Sequence, residues 1–274
     1  MDSQKILRKP VSINVPHDNN DLLKEAIERV NSSVEVKTLW EIINVNAIDR
    51  MGYSDHGSVH FQIVSNIALR VARLLHKHGV EMSISTGFDL SYNHAELVIF
   101  MASLFHDLGM SIHRVQHEEF SLIIANNLLR EMLDFLPTEE RVIVTSEVLH
   151  AIIAHRSGGK PLTIEAGIVR VADALDMSKG RTRIPYEQGH KDIYSLSARA
   201  IESVEIAESG DPERPVQINI EMTNSSGIFQ ADELLNEKLK GSGIEQYVSV
   251  NAFISGETEE KLLKTPLNIS LKGK

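Results

Sequence analysis

The stretch "FMASLFHDLGM", residues 100–110, places a histidine beside an aspartate at the end of an apolar run. The apolar residues belong in a hydrophobic core, where a polar group without a partner costs roughly 1–3 kcal/mol. A buried carboxylate needs a positively charged partner, and the apolar segment before Asp107 contains no Lys or Arg. We therefore expect His106 and Asp107 to share a bound cation.

Two more histidines face the core when their helical phase is considered. An α-helix advances about 100° per residue, so the angle between two side chains follows from their spacing. His60 lies within about 40° of the apolar stripe around Val64, and His155 lies about 60° from Ile152. His150 falls nearly opposite and is predicted to point outward. Any one of them fits a core histidine bonded to the backbone, but together they favour a shared metal ion.

The elements that must position these residues are mainly helical. Apolar residues recur at spacings of three and four, which predicts helices at about 21–31, 36–50, 56–77, 93–107, 117–134, 139–155 and 164–177. Later segments, "AIESVEIA", "PVQINIEM" and "QYVSVNAFI", are typical of strands, and "FQADELLNEKLKGSG" predicts a short helix. We expect a mainly α protein, with a helical domain at 1–198 and a small α+β domain at 199–274.

Composition limits the classes of function. The 274 residues carry a formal charge of −10 and only 5% aromatic residues, which argues against general binding to nucleic acid or to anionic membranes. The chain has no cysteine, so any metal must be held by histidine and carboxylate. No segment has the length and apolarity of a signal peptide or a membrane span, so a cytoplasmic location is the default expectation.

The order of these residues resembles the HD superfamily of metal-dependent phosphohydrolases, in an archaeal-type subgroup with an appended α+β domain. The resemblance rests on "HFQIVSNIALRVARLL" from His60, "LFHDLG" with the adjacent pair, and "IVRVADALD" with Asp173. "HEEFSLIIANNLL" and "VLHAIIAH" match two further histidines that many relatives carry. It implies a helical bundle with its core at roughly residues 50–180. The implied metal ligands are His60, His106, Asp107, His117, His155 and Asp173.

The resemblance also implies one or two divalent ions, with Asp107 as the bridging and catalytic carboxylate. Histidine and carboxylate ligands suit Mn, Fe, Co, Ni or Zn. Asp176 is a rival to Asp173, ranked second because Asp173 fits the motif better.

One departure from the family pattern concerns the substrate. Many members have Lys shortly after the His-Asp pair, where it can meet a substrate phosphate, but this chain has Met110. Phosphate contacts must then come from other residues, and a basic loop after Asp173 could attract an anionic substrate. The alternative is a solvated loop without such a role. The candidates are His113, Arg114, Arg156, Lys160, Lys179, Arg181 and Arg183.

The resemblance implies a phosphohydrolase in which metal-activated water cleaves a phosphate ester of a nucleotide or another small phosphorylated substrate. A di-iron oxygenase of the HD type and a non-catalytic ligand-sensing module are the alternatives. The expected partner is the small substrate alone, without nucleic acid or membrane, and a homo-oligomer paired through exposed sheet edges is compatible with the pattern. "NSSG" at 224–227 fits either a phosphate-binding turn or a capped turn.

Overall fold

The computed structural model describes residues 12–17, 19–177, 197–255 and 267–268. Three of the predicted phosphate-binding residues, Lys179, Arg181 and Arg183, lie outside these ranges. The described part is mainly α-helical with a small mixed sheet near the C-terminus, which confirms the predicted fold class. No described helix has the length and apolarity needed to cross a membrane.

The described residues up to Met177 contain eight α-helices. They are α1 (Asp21–Ser32), α2 (Val34–Asn44), α3 (Ser58–Lys77), α4 (Ser83–Phe88), α5 (Tyr92–Phe105), α6 (His117–Met132), α7 (Thr138–Ala154) and α8 (Ile164–Leu175). A π-helical turn (Val45–Arg50) extends α2, and a 3-10 turn (Leu108–Ser111) follows α5.

Helix α5 lies at the centre of this bundle. Every residue from His94 to Phe105 is buried, as expected for a helix that is apolar on all sides. Helices α1, α3, α7 and α8 all pack against it. The chain therefore enters the His106–Asp107 pair from the middle of the core.

Local signals set several helix starts. The side chain of Asn20 accepts a hydrogen bond from Leu23 N, that of Ser33 from Val36 N, and that of Thr163 from Ala166 N. Such caps satisfy backbone donors that a helix leaves unpaired at its N-terminus. The seven predicted helices are present, although the predicted 36–50 helix starts at Val34 and changes to π-helix at Val45.

Helix α4 was not predicted from the sequence. Its six residues, "SISTGF", have no apolar repeat and no capping side chain of their own. The fully buried carboxylate of Glu165 instead accepts hydrogen bonds from Ser83 N and Ile84 N, at 3.2 and 3.0 Å. This cap comes from α8, far along the chain, so a local pattern could not reveal it.

The C-terminal part is a four-stranded sheet with a helical crossover. The strands are β1 (Ile201–Glu208), β2 (Val216–Met222), β3 (Val248–Ile254) and β4 (Leu267–Asn268), side by side in that order. The pair β2–β3 is parallel and the other two pairs are antiparallel. A parallel pair needs a crossover connection, which here contains a π-helical turn (Gln230–Leu235) and α9 (Asn236–Leu239). At "NSSG", Asn224 Oδ1 accepts from Ser226 N, which is the geometry of a capped turn.

The C-terminal part packs directly on α8. A Cβ added to Gly167 would lie 2.0 Å from the backbone oxygen of Ser242, so this glycine permits a backbone contact between the two parts. Buried apolar residues of the helices and of the sheet form one continuous core. The predicted domain boundary at 198 stays a prediction.

We predict that Gly167→Ala destabilises the protein. Alanine gains about 1 kcal/mol of helix propensity over glycine, but its methyl group would collide with backbone that cannot rotate away. The expected net loss in the free energy of unfolding is about 1–2 kcal/mol, measured by urea denaturation. Gly87→Ala in α4 is the matched control, because a Cβ there meets no atom within 4 Å. Equal stability of the two variants would show that the contact at Ser242 is not tight.

Candidate metal centre

The six predicted ligand residues lie in one cluster. His60, His106, Asp107, His117 and His155 are buried, and 17% of the Asp173 side chain is exposed. They come from α3, the turn after α5, the start of α6, the end of α7 and α8. Among the described residues, three overlapping groups of side chains, all drawn from these six and Glu118, have the spacing to hold a metal ion.

One half of the cluster is built from two histidines and a carboxylate. His60 Nε2 lies 3.2 Å from His106 Nε2. Asp173 Oδ1 lies 3.5 Å from His60 Nε2 and 3.7 Å from His106 Nε2. These three atoms converge on one point, as ligands of a single ion would.

The other half is built from two different histidines, and Asp107 lies between the halves. Its Oδ1 is 3.0 Å from His117 Nε2 and 3.6 Å from His155 Nε2. Its Oδ2 faces the first half, 3.6 Å from His106 Nε2 and 3.9 Å from His60 Nε2. Each oxygen of this carboxylate therefore serves a different pair of imidazoles.

All four imidazoles present the same nitrogen to the cluster. Nδ1 lies within hydrogen-bond distance of an outer acceptor in every case. For His60 the acceptor is Asp176 Oδ2, at 2.6 Å. For His106, His117 and His155 it is the carbonyl three residues earlier, at 3.0, 2.9 and 2.5 Å. A proton on Nδ1 donates to that acceptor and leaves the Nε2 lone pair free, which is how metal-binding histidines are usually oriented.

The donor set fits divalent transition metals. Four imidazole nitrogens and two carboxylates suit Mn, Fe, Co, Ni or Zn, and the described part of the chain offers no thiolate because it contains no cysteine. Because its two oxygens face different histidine pairs, Asp107 could supply one ligand atom to each half of the cluster.

Gly109 allows the two halves to approach each other. A Cβ at this position would lie 1.9 Å from the backbone oxygen of His117 and 2.7 Å from Ser121 N. The Gly109 N–H donates to Ser121 Oγ at 2.7 Å. The first turn of α6 therefore packs against the turn after Asp107, and this contact brings His117 to the carboxylate.

The ionisation of Asp107 is governed by opposing effects. Burial alone would raise the pKa of Asp107, but the charge of His106 and hydrogen bonds from His117 and His155 hold it well below its usual range. Burial lowers the pKa of both His106 and His117, but the surrounding groups together raise it. For His106 these are the carboxylates of Asp107 and Asp173 and the backbone of Ser103. For His117 they are the carboxylates of Asp107 and Glu118. For His155, burial dominates and the pKa is lowered.

The remaining carboxylate, Asp173, follows the same logic. Burial would raise the pKa of Asp173, but the hydrogen bond from His106 and the charge of Lys238 hold it well below its usual range. Lys238 Nζ lies 3.6 Å from Asp173 Oδ2, on the oxygen that does not face the histidines. Both carboxylates of the cluster are therefore ionised across the physiological pH range.

Other predicted site residues have different positions. His150 is half-buried and its Nε2 accepts a hydrogen bond from Leu162 N at 2.9 Å, consistent with the helical-phase argument. The guanidinium of Arg156 is exposed and paired with Glu119 at 2.9 Å. The guanidinium of Arg114 lies 2.9 Å from His117 Nδ1, at the edge of the cluster.

The sequence reasoning missed two residues and placed a third in another role. Asp176, ranked as a rival ligand, contacts the outer nitrogen of His60 instead of the cluster's centre. Glu118 Oε2 lies 3.2 Å from His117 Nδ1. The sequence could have indicated Glu118, because it directly follows the predicted ligand His117. Lys238 had no such signal, because it lies in the α+β part far along the chain.

Comparisons with known proteins give the family of this chain. A family model for the HD domain matches residues 68–178. An uncharacterized protein of Methanocaldococcus jannaschii, MJ1020, is 42% identical over 224 residues, which cover 81% of this chain and 86% of that protein. The chain belongs to the HD-domain family. No solved structure gives a significant match.

The segment matched by the family model contains most of the cluster residues but not all of them. Five of the six residues fall within 68–178, while His60 lies before its start. The structure nevertheless places His60 Nε2 3.2 Å from His106 Nε2. The site of this HD-domain protein therefore includes a residue in the first turn of α3, the helix in which the matched segment begins.

We predict that binding of a divalent ion to this protein releases protons. The raised pKa values of His106 and His117 mean that these imidazoles hold protons to a higher pH than free histidine, whereas a metal needs them neutral. In the metal-free protein, the protonated imidazoles of His106 and His117 stabilise the folded state. This stabilisation is fully present below the pKa that histidine has in the unfolded chain, and it is lost as the pH rises through the higher pKa of these imidazoles in the folded protein. The gain in thermal stability on adding Mn²⁺ should therefore shrink from about pH 8 to about pH 6.

Calorimetric titration with Mn²⁺ in two buffers of different ionisation enthalpy counts the released protons. A binding enthalpy that is the same in both buffers, together with an equal stability gain at both pH values, would contradict this assignment.

Proposed function

We propose that this protein is a metal-dependent phosphohydrolase that cleaves a phosphate ester of a nucleotide or another small phosphorylated compound. The observation that carries the proposal is the position of Asp107, whose two oxygens face two separate histidine pairs. Membership of the HD-domain family supports the same chemistry.

Each residue has a defined role in this proposal. His60, His106, Asp107 and Asp173 would hold one divalent ion, and Asp107, His117 and His155 would hold a second. Divalent ions in such a centre activate water near neutral pH and neutralise charge that develops on a transferring phosphoryl group.

The chain itself supplies orientation and a proton acceptor. Asp107 stays ionised because its pKa is low, so its oxygens can accept a hydrogen bond from the attacking water and hold it in line with phosphorus. Asp176 and the three backbone carbonyls fix the imidazole rings, which keeps the ligand nitrogens directed inward. Arg114 at the edge of the cluster, with Arg156, Lys179, Arg181 and Arg183, remains a proposed contact for the substrate.

We predict that the purified protein binds one or two divalent ions per chain through this cluster. His106→Ala and Asp107→Ala should each lose metal, since each removes a ligand atom that lies between the other ligands. Elemental analysis of purified, metal-reconstituted protein measures the stoichiometry. His150→Ala is the control and should keep the wild-type content, because its ring bonds to Leu162 N. Loss of metal in His150→Ala but not in His155→Ala would reverse the choice between these histidines.

We predict that the metal-reconstituted protein hydrolyses members of a panel of phosphomonoesters, phosphodiesters and nucleotides. Asp107→Asn should lower the turnover of the best substrate by at least about 100-fold, a typical loss for a group that orients or deprotonates water. The control is again His150→Ala, which should retain activity. A protein that binds two irons and consumes O₂ without hydrolysing the panel would be an oxygenase, and one that binds no stoichiometric metal would be a sensor.

A further inference from the structure

The contact between the α+β part and the metal centre runs through Lys238. Its side chain is mostly buried, with 16% exposed, and Nζ lies 3.6 Å from Asp173 Oδ2. Nζ also donates to the backbone oxygen of His155. Lys238 of α9 therefore contacts two of the six cluster residues, Asp173 and His155.

The backbone of α9 is held in place by a buried arginine. Arg170 is 2% exposed and lies on α8, one helical turn before Asp173. Its Nε donates to the backbone oxygen of Lys238 at 2.9 Å, and its Nη2 donates to the backbone oxygen and the carboxylate of Glu237, at 3.2 and 3.1 Å. The same guanidinium donates to the carbonyls of Ala154 and Arg156, so one residue ties α8, the end of α7 and α9 together.

A second set of contacts fixes α9 from the side of the loop after His155. The carboxylate of Glu237 accepts hydrogen bonds from Gly158 N at 3.0 Å and from Ser157 Oγ at 3.3 Å. Hydrogen bonds around its own backbone thus fix the position of Lys238. An ordinary surface lysine, by contrast, moves freely in solvent.

Lys238 brings a positive charge to the edge of the metal centre. The residue two positions after the "HDL" triplet is Met110, which is fully buried and uncharged. A phosphate ester bound at the metal centre would bring negative charge close to the carboxylate of Asp173, beside which Lys238 lies. A lysine ammonium is a compact charge with three N–H donors. The backbone oxygen of His155 accepts from one of them, and Asp173 Oδ2, at 3.6 Å, is an ion-pair partner beyond hydrogen-bond distance. N–H donors of Lys238 therefore remain for a phosphate oxygen.

We propose that Lys238 is a substrate-binding residue of the metal centre and donates a hydrogen bond to a phosphate oxygen of the substrate. The α+β part then completes the active site by delivering this cation through α9. The inference rests on the proposed phosphohydrolase function and adds to it the residue that recognises the phosphate.

The test compares three variants with the wild type. Lys238→Met keeps the length of the side chain and removes its charge, and Lys238→Arg keeps the charge. Lys240→Met is the matched control, because Lys240 is an exposed cation two residues away. Each protein is reconstituted with Mn²⁺, its metal content and thermal unfolding are measured, and inorganic phosphate is titrated into it by calorimetry. KM and kcat are then determined for the best panel substrate.

We expect Lys238→Met to bind inorganic phosphate about 10- to 100-fold more weakly, as the loss of one charge-assisted hydrogen bond predicts. Its metal content should be that of the wild type, and KM should rise more than kcat falls. Lys238→Arg should recover part of the affinity, and Lys240→Met should match the wild type in every measurement.

Three results would overturn the inference. Wild-type phosphate affinity in metal-loaded Lys238→Met would show that the ammonium does not contact phosphate, while leaving the phosphohydrolase proposal intact. Loss of metal in that variant would make Lys238 a positioning residue for Asp173 instead. If Lys238→Met fails to fold, Lys238→Gln takes its place with the same expectations. Absence of both phosphate binding and hydrolysis in the wild type would overturn the proposed function itself, and with it this inference.

Discussion

A carboxylate buried among imidazoles at the end of a core helix is the constraint on which the rest of this protein depends. Asp107 is 4% exposed, and an ionised carboxylate in such a place must be compensated by hydrogen bonds and positive charge. Four histidines from four different parts of the bundle supply that compensation. Helices α3, α6 and α7 must therefore pack around the end of α5 in one arrangement, because a shift of any of them would remove a partner from Asp107.

The ends of the helices orient the histidines. His106 and His155 directly follow the last residues of α5 and α7, and a helix leaves its last carbonyls without backbone partners. The Nδ1 atoms of both rings lie within hydrogen-bond distance of the carbonyls three residues earlier. The same hydrogen bond thus satisfies a helix terminus and turns Nε2 toward Asp107. Stability of the helix end and readiness for ligand binding come from one interaction.

The α+β part is integrated with this centre through α8. Gly167 allows the close approach to Ser242, and Arg170 fastens the backbone of α9. Asp173 lies on the same helix, so the element that carries a cluster carboxylate also carries the contacts to the C-terminal part. A change in the packing of the α+β part on α8 would therefore alter the positions of Asp173 and Lys238.

Much of the bundle and of the cluster could be predicted from the amino-acid sequence alone. The helical repeat located seven helices, because apolar periodicity is a property of neighbouring residues. The phase of His60 and His155 placed both inside, and His150 is half-buried and bonded elsewhere. The adjacent His106 and Asp107 in an apolar run indicated a buried charged site, since few other arrangements allow those residue types in a core.

Other features were decided only by tertiary structure. Helix α4 depends on the cap from Glu165, Asp176 contacts the outer nitrogen of His60, and Lys238 reaches Asp173 from another part of the fold. Each of these contacts joins residues that are distant in sequence, and their distance depends on how whole helices pack. Sequence periodicity determines which face of a helix is buried, but packing alone determines which side chain it meets there.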